Sequence, residues 1–209
     1  MLPIQPKPNS HDIVVIGASA GGVEALAELL SLLPRDLAAA VLIVLHRAPE
    51  RPSQLKDVLS QKTRLNITIP KEGERLDYGI CFVGKPDQHL TVGPGLQMHL
   101  VPDHFYRGHN IDALFNSLAR NAGNRTIGVI LSGLLQDGAL GLKAIKESGG
   151  AAFVQSPEEA AYPDMPQNAI LHGGPIDLIA PISRIAPEIV RLTGRTALAA
   201  KHPALAGPP

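Results

Sequence analysis

The sequence predicts a doubly wound α/β fold: three layers, αβα, around a mostly parallel sheet with an antiparallel hairpin at its edge. Three observations carry this expectation. Apolar runs without polar alternation recur as "HDIVVIG", "AAVLIVLH", "TIGVILSG" and "AAFVQ", the pattern of strands buried on both faces. Segments with apolar residues at helical spacing separate them. Near the N-terminus, strand, helix and strand follow within about 35 residues, a βαβ unit that requires parallel strands and a right-handed crossover.

Composition bounds the rest. The 209 residues suit one domain, since single cores grow to roughly 250 residues before chains split. Hydrophobic residues make up 44 %, enough for a core, and the formal net charge is zero, so no basic excess invites nucleic acid or an anionic membrane. Aromatic residues are 3 % with no Trp, which argues against a base-stacking surface. The single cysteine, Cys81, rules out an intrachain disulfide and fits a reducing cytoplasm. It lies in the apolar stretch "ICFVG" and reads as a small core residue. "MLPIQPKPNSHD" lacks the apolar centre of a secretion signal, and no run reaches the roughly 18 apolar residues of a membrane span. A cytoplasmic monomer without membrane insertion is expected.

The elements follow in order. Residues 1–11 read as a flexible proline-rich tail, 12–194 as the domain and 195–209 as a loose Ala/Pro/Gly tail. A strand over 11–17 leads into a helix over 21–33 that Pro34 stops; a second strand spans 39–46 and a second helix 53–63. "NITIP", "GICFVG", "HLTV" and "QMHLV" are short strands whose Gly/Pro punctuation suggests the edge hairpin. Helices are expected over 110–123, where Asn110 and Asp112 read as caps, and over 137–150, with strands at 126–133 and 151–155. "YPDMPQNAI" (162–170) holds prolines that fix a turn near a helix start, 176–180 is an extended segment, and a last helix runs over 182–194 despite Pro187.

The first strand-to-helix turn carries the chemistry. Gly17-Ala18-Ser19-Ala20-Gly21-Gly22 fails the dinucleotide fingerprint, because a serine stands at the second glycine. The acid required about 20 residues on is also missing, since Asp36 precedes its strand instead of ending it. A P-loop is excluded, because no Lys-Ser/Thr follows the glycines. The same residues do fit G-x-S-x-G, a serine exposed between strand and helix beside backbone N–H groups and a helix dipole. A serine capping its own helix fits as well. His46 ends the second strand and so shares the carboxyl edge of a parallel sheet with Ser19, where ligand crevices open. Asp137 lies at a third strand-to-helix junction on that edge, between Gly133 and Gly138. Alone it reads as a helix-start acid. With Ser19 and His46 it completes a nucleophile, a base and an orienting acid. His104, His109 and Asp103 lie in a loop without metal-ligand spacing, so neither a metal nor a cofactor is expected.

"VVIGASAGG", "VLHRAP" and "ILSGLLQDGALG" together resemble the catalytic domain of CheB-type chemotaxis methylesterases, as do "GKPDQHLTVG", "HNIDALFNSLA" and "GGAAFVQSPEEAAYPDMPQNAI". The resemblance covers roughly residues 12–193 and keeps the family's motif order. It implies a serine-type protein-glutamate methylesterase with Ser19, His46 and Asp137 as the triad. The implied substrate is a γ-glutamyl methyl ester on the cytoplasmic helices of a chemoreceptor, and related members deamidate glutamine there. The oxyanion would lie near the N–H groups of Ala20, Gly21 and Gly22, or near Leu134. Ala20 stands where the family has threonine, Arg47 where it has methionine, and Leu135 where it has glycine. Arg47 puts a cation beside the base, and Arg75 and Arg107 are loop cations placed to meet an acidic receptor helix. Only about eleven residues precede the first strand, whereas a receiver domain needs roughly 120, so gating in cis is not expected; constitutive activity, a separate regulatory protein in trans and a pathway other than chemotaxis stay open. Two rival readings remain: a binding module of the same fold with an inactive acid loop, and a nucleotide-binding Rossmann-like domain.

Overall fold

The computed structural model describes residues 11–47, 53–102 and 108–194. The tails expected before residue 11 and after residue 194 lie outside the described residues, as do Ala48, Pro49, Asp103, His104 and Arg107. The described residues form nine strands and six α-helices. Strands β1 (Ile13–Ala18) and β2 (Ala40–Leu45) are buried at every position, as their uninterrupted apolar runs require. Helix α1 (Gly22–Leu32) joins them. Helix α2 (Leu55–Ser60) leads to β3 (Asn66–Thr68) and β4 (Ile80–Val83). The chain continues through β5 (Gln88–Val92), β6 (Met98–Pro102), α3 (Asn110–Asn121), β7 (Thr126–Ile130), α4 (Ala139–Glu147) and β8 (Ala151–Gln155). It ends with α5 (Asp164–His172), β9 (Leu178–Ala180) and α6 (Ile182–Thr193), which runs on through Pro187.

Seven strands form one sheet in the order β3-β4-β2-β1-β7-β8-β9, and every pairing in it is parallel. The order reverses at β1, whose neighbours β2 and β7 lie far apart in sequence. This is a topological switch point, and in such sheets the loops beyond the strand ends diverge and leave a crevice. Alternate residues of each strand serve two cores. Val14, Ile16, Val41 and Ile43 pack against α1, α2 and α6, including Leu26, Leu29, Leu59 and Ile185. Ile13, Val15, Leu42 and Val44 pack against α3, α4 and α5, including Ile111, Phe115, Leu142 and Met165. The three-layer expectation is met.

The antiparallel hairpin is present with a different membership. Of the four short strands, β3 and β4 join the parallel sheet, while β5 and β6 pair antiparallel as a separate two-stranded sheet. The reason is burial: Leu90, Val92 and Met98 turn their side chains into the α3 core, and Val92 N–H donates to Ser117 Oγ (2.9 Å). The hairpin therefore lies over α3 and not along the sheet's edge strand.

Candidate active site

The β1–α1 turn depends on its glycines. Gly21 caps α1 with φ 68°, the left-handed region that L side chains avoid, and an added Cβ would sit 2.8 Å from Ser132 Oγ. Ser19 is held from both sides: its N–H donates to Ser132 C=O (3.0 Å) and its C=O accepts from Gly22 N–H (2.9 Å). Gly133 closes the other wall, because an added Cβ would come within 2.9 Å of Ser19 Cβ and overlap Met165 Sδ. Of the turn residues expected near an oxyanion, Gly22 already spends its N–H on Ser19. Among the described residues, the N–H groups of Ala20, Gly21 and Leu134 have no acceptor within the chain.

Sequence reasoning missed Ser132. It is buried, its hydroxyl donates to Ala20 C=O (2.8 Å) and accepts from Tyr162 N–H (3.0 Å), and its own N–H donates to Gln155 Oε1 (2.9 Å). It ties the serine turn to the ends of β7 and β8. The available signal was a polar residue ending an otherwise apolar strand, as His46 does.

His46 follows β2. The β1–β2 register pairs Ala18 with Leu45, and the ladder continues as His46 N–H donates to Ala18 C=O (3.1 Å), so Ser19 and His46 are the next positions on adjacent strands. His46 is 23 % exposed at its side chain, and its Nε2 lies 2.7 Å from Asp137 Oδ2. The ring and the Ser19 hydroxyl are not hydrogen bonded in this structure. With Nε2 held by Asp137, Nδ1 is the nitrogen left to receive a proton. Arg47, beside it, turns away: Nε donates to Leu45 C=O (3.4 Å), and the guanidinium also bonds Ser53 Oγ and Gly84 C=O. Burial lowers its pKa. The Arg75 backbone forms an isolated antiparallel bridge with Gln97.

Asp137 does not start its own helix, which begins at Ala139. It is 4 % exposed and turns its carboxylate to α3 instead, accepting from Ile111 N–H (Oδ2, 2.9 Å) and Asp112 N–H (Oδ1, 3.0 Å). Those N–H groups lie in the first turn of a helix that has no side-chain cap of its own, where the backbone offers them no acceptor. Asp112 returns the arrangement: its Oδ1 accepts from Gly138 N–H (3.0 Å) and Gly141 N–H (2.7 Å) at the start of α4. Burial and the charge of Asp137 push the Asp112 carboxyl up, against the pull of the two N–H groups and His109. Among the described residues, His109, Asp112 and Asp137 are the one group with atoms close enough to share a cation, within 4.8 Å. Three of their four carboxylate oxygens already accept backbone N–H groups.

Two cavities, of about 590 and 450 Å³, flank the acid along α3, and neither is lined by Ser19 or His46. Ser19 and His46 are both half-buried.

The family model described as CheB methylesterase matches residues 14–189. The chain belongs to the CheB methylesterase family. It is similar to a protein-glutamate methylesterase/protein-glutamine glutaminase 1 of Carboxydothermus hydrogenoformans, 36 % identical over 190 residues that cover 87 % of this chain and 55 % of the relative. A Burkholderia pseudomallei protein of the same description is 34 % identical over 190 residues, covering 88 % and 52 %. The chain thus spans about half the length of the curated relatives it matches. The crystal structure of the Thermotoga maritima CheB methylesterase catalytic domain is similar throughout, with a TM-score of 0.79 and 26 % identity, covering 88 % of this chain and 99 % of that one. Family membership and the shared fold answer the Rossmann-like alternative. Among the described residues no helix is long and apolar enough to cross a membrane.

Proposed function

We propose that the chain is a serine-type protein-glutamate methylesterase in which Ser19 is the nucleophile, His46 the base and Asp137 the orienting acid. The observation that carries this is the 2.7 Å hydrogen bond between His46 and a buried Asp137, beside a serine held at the next strand end. Ser19 Oγ attacks the γ-carbonyl carbon of a glutamyl methyl ester while His46 Nδ1 takes the hydroxyl proton. The tetrahedral oxyanion gathers at the open N–H groups of Ala20 and Gly21, at the positive end of α1. Asp137 steadies the imidazolium. The proton then goes to the departing methoxide, which leaves as methanol. Water repeats the sequence on the glutamyl-serine ester and releases glutamate. The same intermediate would serve a glutamine amide, the second activity in the relatives' names.

The substrate is an ester carried on a protein surface, the methylated helices of a chemoreceptor. A cytoplasmic setting completes the proposal.

The deciding experiment measures methanol release from a methylated receptor fragment by the wild type and by Ser19→Ala. Release by the wild type alone is expected. Equal release by both would remove Ser19 from the chemistry, and a folded wild type that releases none would favour a binding module of the same fold.

A further inference from the structure

We propose that Asp112 is a positioning residue for the reaction, the second half of a reciprocal clamp that holds Asp137 against His46; this rests on the triad reading above. The clamp exchanges helix caps. Neither α3 nor α4 is capped by a side chain of its own N-cap residue, which are His109 and Gly138. Asp137, from the loop before α4, accepts the N–H groups of Ile111 and Asp112 in the first turn of α3. Asp112, from that same turn, accepts the N–H groups of Gly138 and Gly141 at the start of α4. Each carboxylate supplies what the other's helix lacks.

The geometry makes the exchange more than two caps. Gly138 directly follows Asp137 and has φ 98°, so the acid's chain direction is set at a residue with wide backbone freedom. The Asp112 oxygen grips that peptide, and Gly138 is packed so closely that an added Cβ would fall 2.6 Å from Ile130 Cδ1 and 2.7 Å from Ile111 Cγ2. Gly141 is as tight, with Asp112 Oδ1 itself 3.2 Å from a built Cβ. The loop from Leu131 to Asp137 has exposed apolar residues at Leu134 and Leu135, and at Leu135 a backbone conformation that leucine disfavours. Nothing in that loop's own side chains locks the acid; the grip comes from α3. The remaining Asp112 oxygen points to His109 Nδ1 at 3.9 Å, at the mouth of both flanking cavities. The groups facing Asp112 are therefore Asp137 from the acid loop and His109 from its own helix.

Loss of the grip frees Asp137 to move relative to His46, and a misplacement near 1 Å is worth about 100-fold in rate. The test uses an alkyl fluorophosphonate, which phosphonylates an activated serine with loss of fluoride and needs no cognate receptor. Its second-order rate of labelling is measured well below each variant's unfolding midpoint. Wild type is expected to label and Ser19→Ala to remain unlabelled. Asp112→Ala is expected to label about 100-fold more slowly. Asp112→Asn keeps an oxygen for both glycine N–H groups and is expected to recover most of that loss. Asp112→Glu keeps the charge but displaces the oxygen, and is expected to label as slowly as Ala. The Glu variant also serves if Asp112→Ala does not fold. A merely structural role would lower the unfolding midpoint and leave the labelling rate below it unchanged; that result overturns the proposal. So does full recovery by Glu with none by Asn, which would assign the effect to charge. An unlabelled, folded wild type would bring down the triad reading itself, a failure distinct from the other two.

Discussion

Leu135 sits in the acid loop with φ 68°, three-quarters exposed, at the position where the family resemblance implies glycine. An L residue in the left-handed region costs about 1–2 kcal/mol, a strain that glycine does not carry. Glycine loses about 0.5–1 kcal/mol through the greater freedom of its unfolded chain. The side chain is mostly in water, so its removal changes little burial. Comparing Leu135→Gly with Leu135→Ala isolates the backbone, since the Leu135 C=O that accepts from Asn168 Nδ2 (2.9 Å) remains in both. The glycine variant should be the more stable by about 0.5–1 kcal/mol, the reverse of an ordinary helical position, where glycine is the worse by about 1 kcal/mol. For a chain of this size, 1 kcal/mol moves the unfolding midpoint by about 2–4 °C. Thermal unfolding of both variants in one buffer reads the difference. An alanine variant that melts at or above the glycine variant would refute the reasoning, because the strain would then be absent.

Gly133→Ala should cost about 1–3 kcal/mol and slow methanol release, since Met165 can swing aside but Ser19 Cβ cannot; an unchanged rate in a folded variant would contradict the close approach. Asp12→Ala removes the partner of Arg125 (2.9 and 2.7 Å) and of the Tyr78 hydroxyl (2.7 Å) at the opposite end of the sheet. It should cost about 3 kcal/mol in chemical denaturation while leaving the rate per folded molecule intact. The raised Asp112 carboxyl has a sign in stability. The native state takes up its proton at higher pH than the unfolded chain, so the stability Asp112 contributes is full below the ordinary carboxyl range and is lost as pH rises through the raised value. Asp112→Asn has no such loss, and its midpoint relative to wild type should be more favourable at pH 7 than at about pH 4; the opposite trend would contradict the burial argument.

The sheet was legible because strands buried on both faces must be apolar throughout, and a βαβ unit admits one handedness. Ser19 and His46 were legible as polar residues standing where apolar strands end, and Asp137 as an acid in a strand-to-helix loop; a parallel sheet places such junctions on one edge. The membership of the hairpin was not, because "NITIP" and "HLTV" look alike locally and differ only in what covers them. Ser132 was passed over for a related reason: its partners, Ala20, Gln155 and Tyr162, lie 112, 23 and 30 residues away. Asp112 and Asp137 both read as acids at the start of their own helices, the local role that propensity assigns. By itself the sequence determined the layers, the strand order's parallel character and the three candidate residues, since periodicity and burial act within one element. The crossing of the two caps, and with it the grip on the acid, was decided only by the tertiary structure: a carboxylate satisfies whichever N–H groups packing brings to it, and α3 and α4, separated in sequence by β7, meet only when they pack side by side on the sheet.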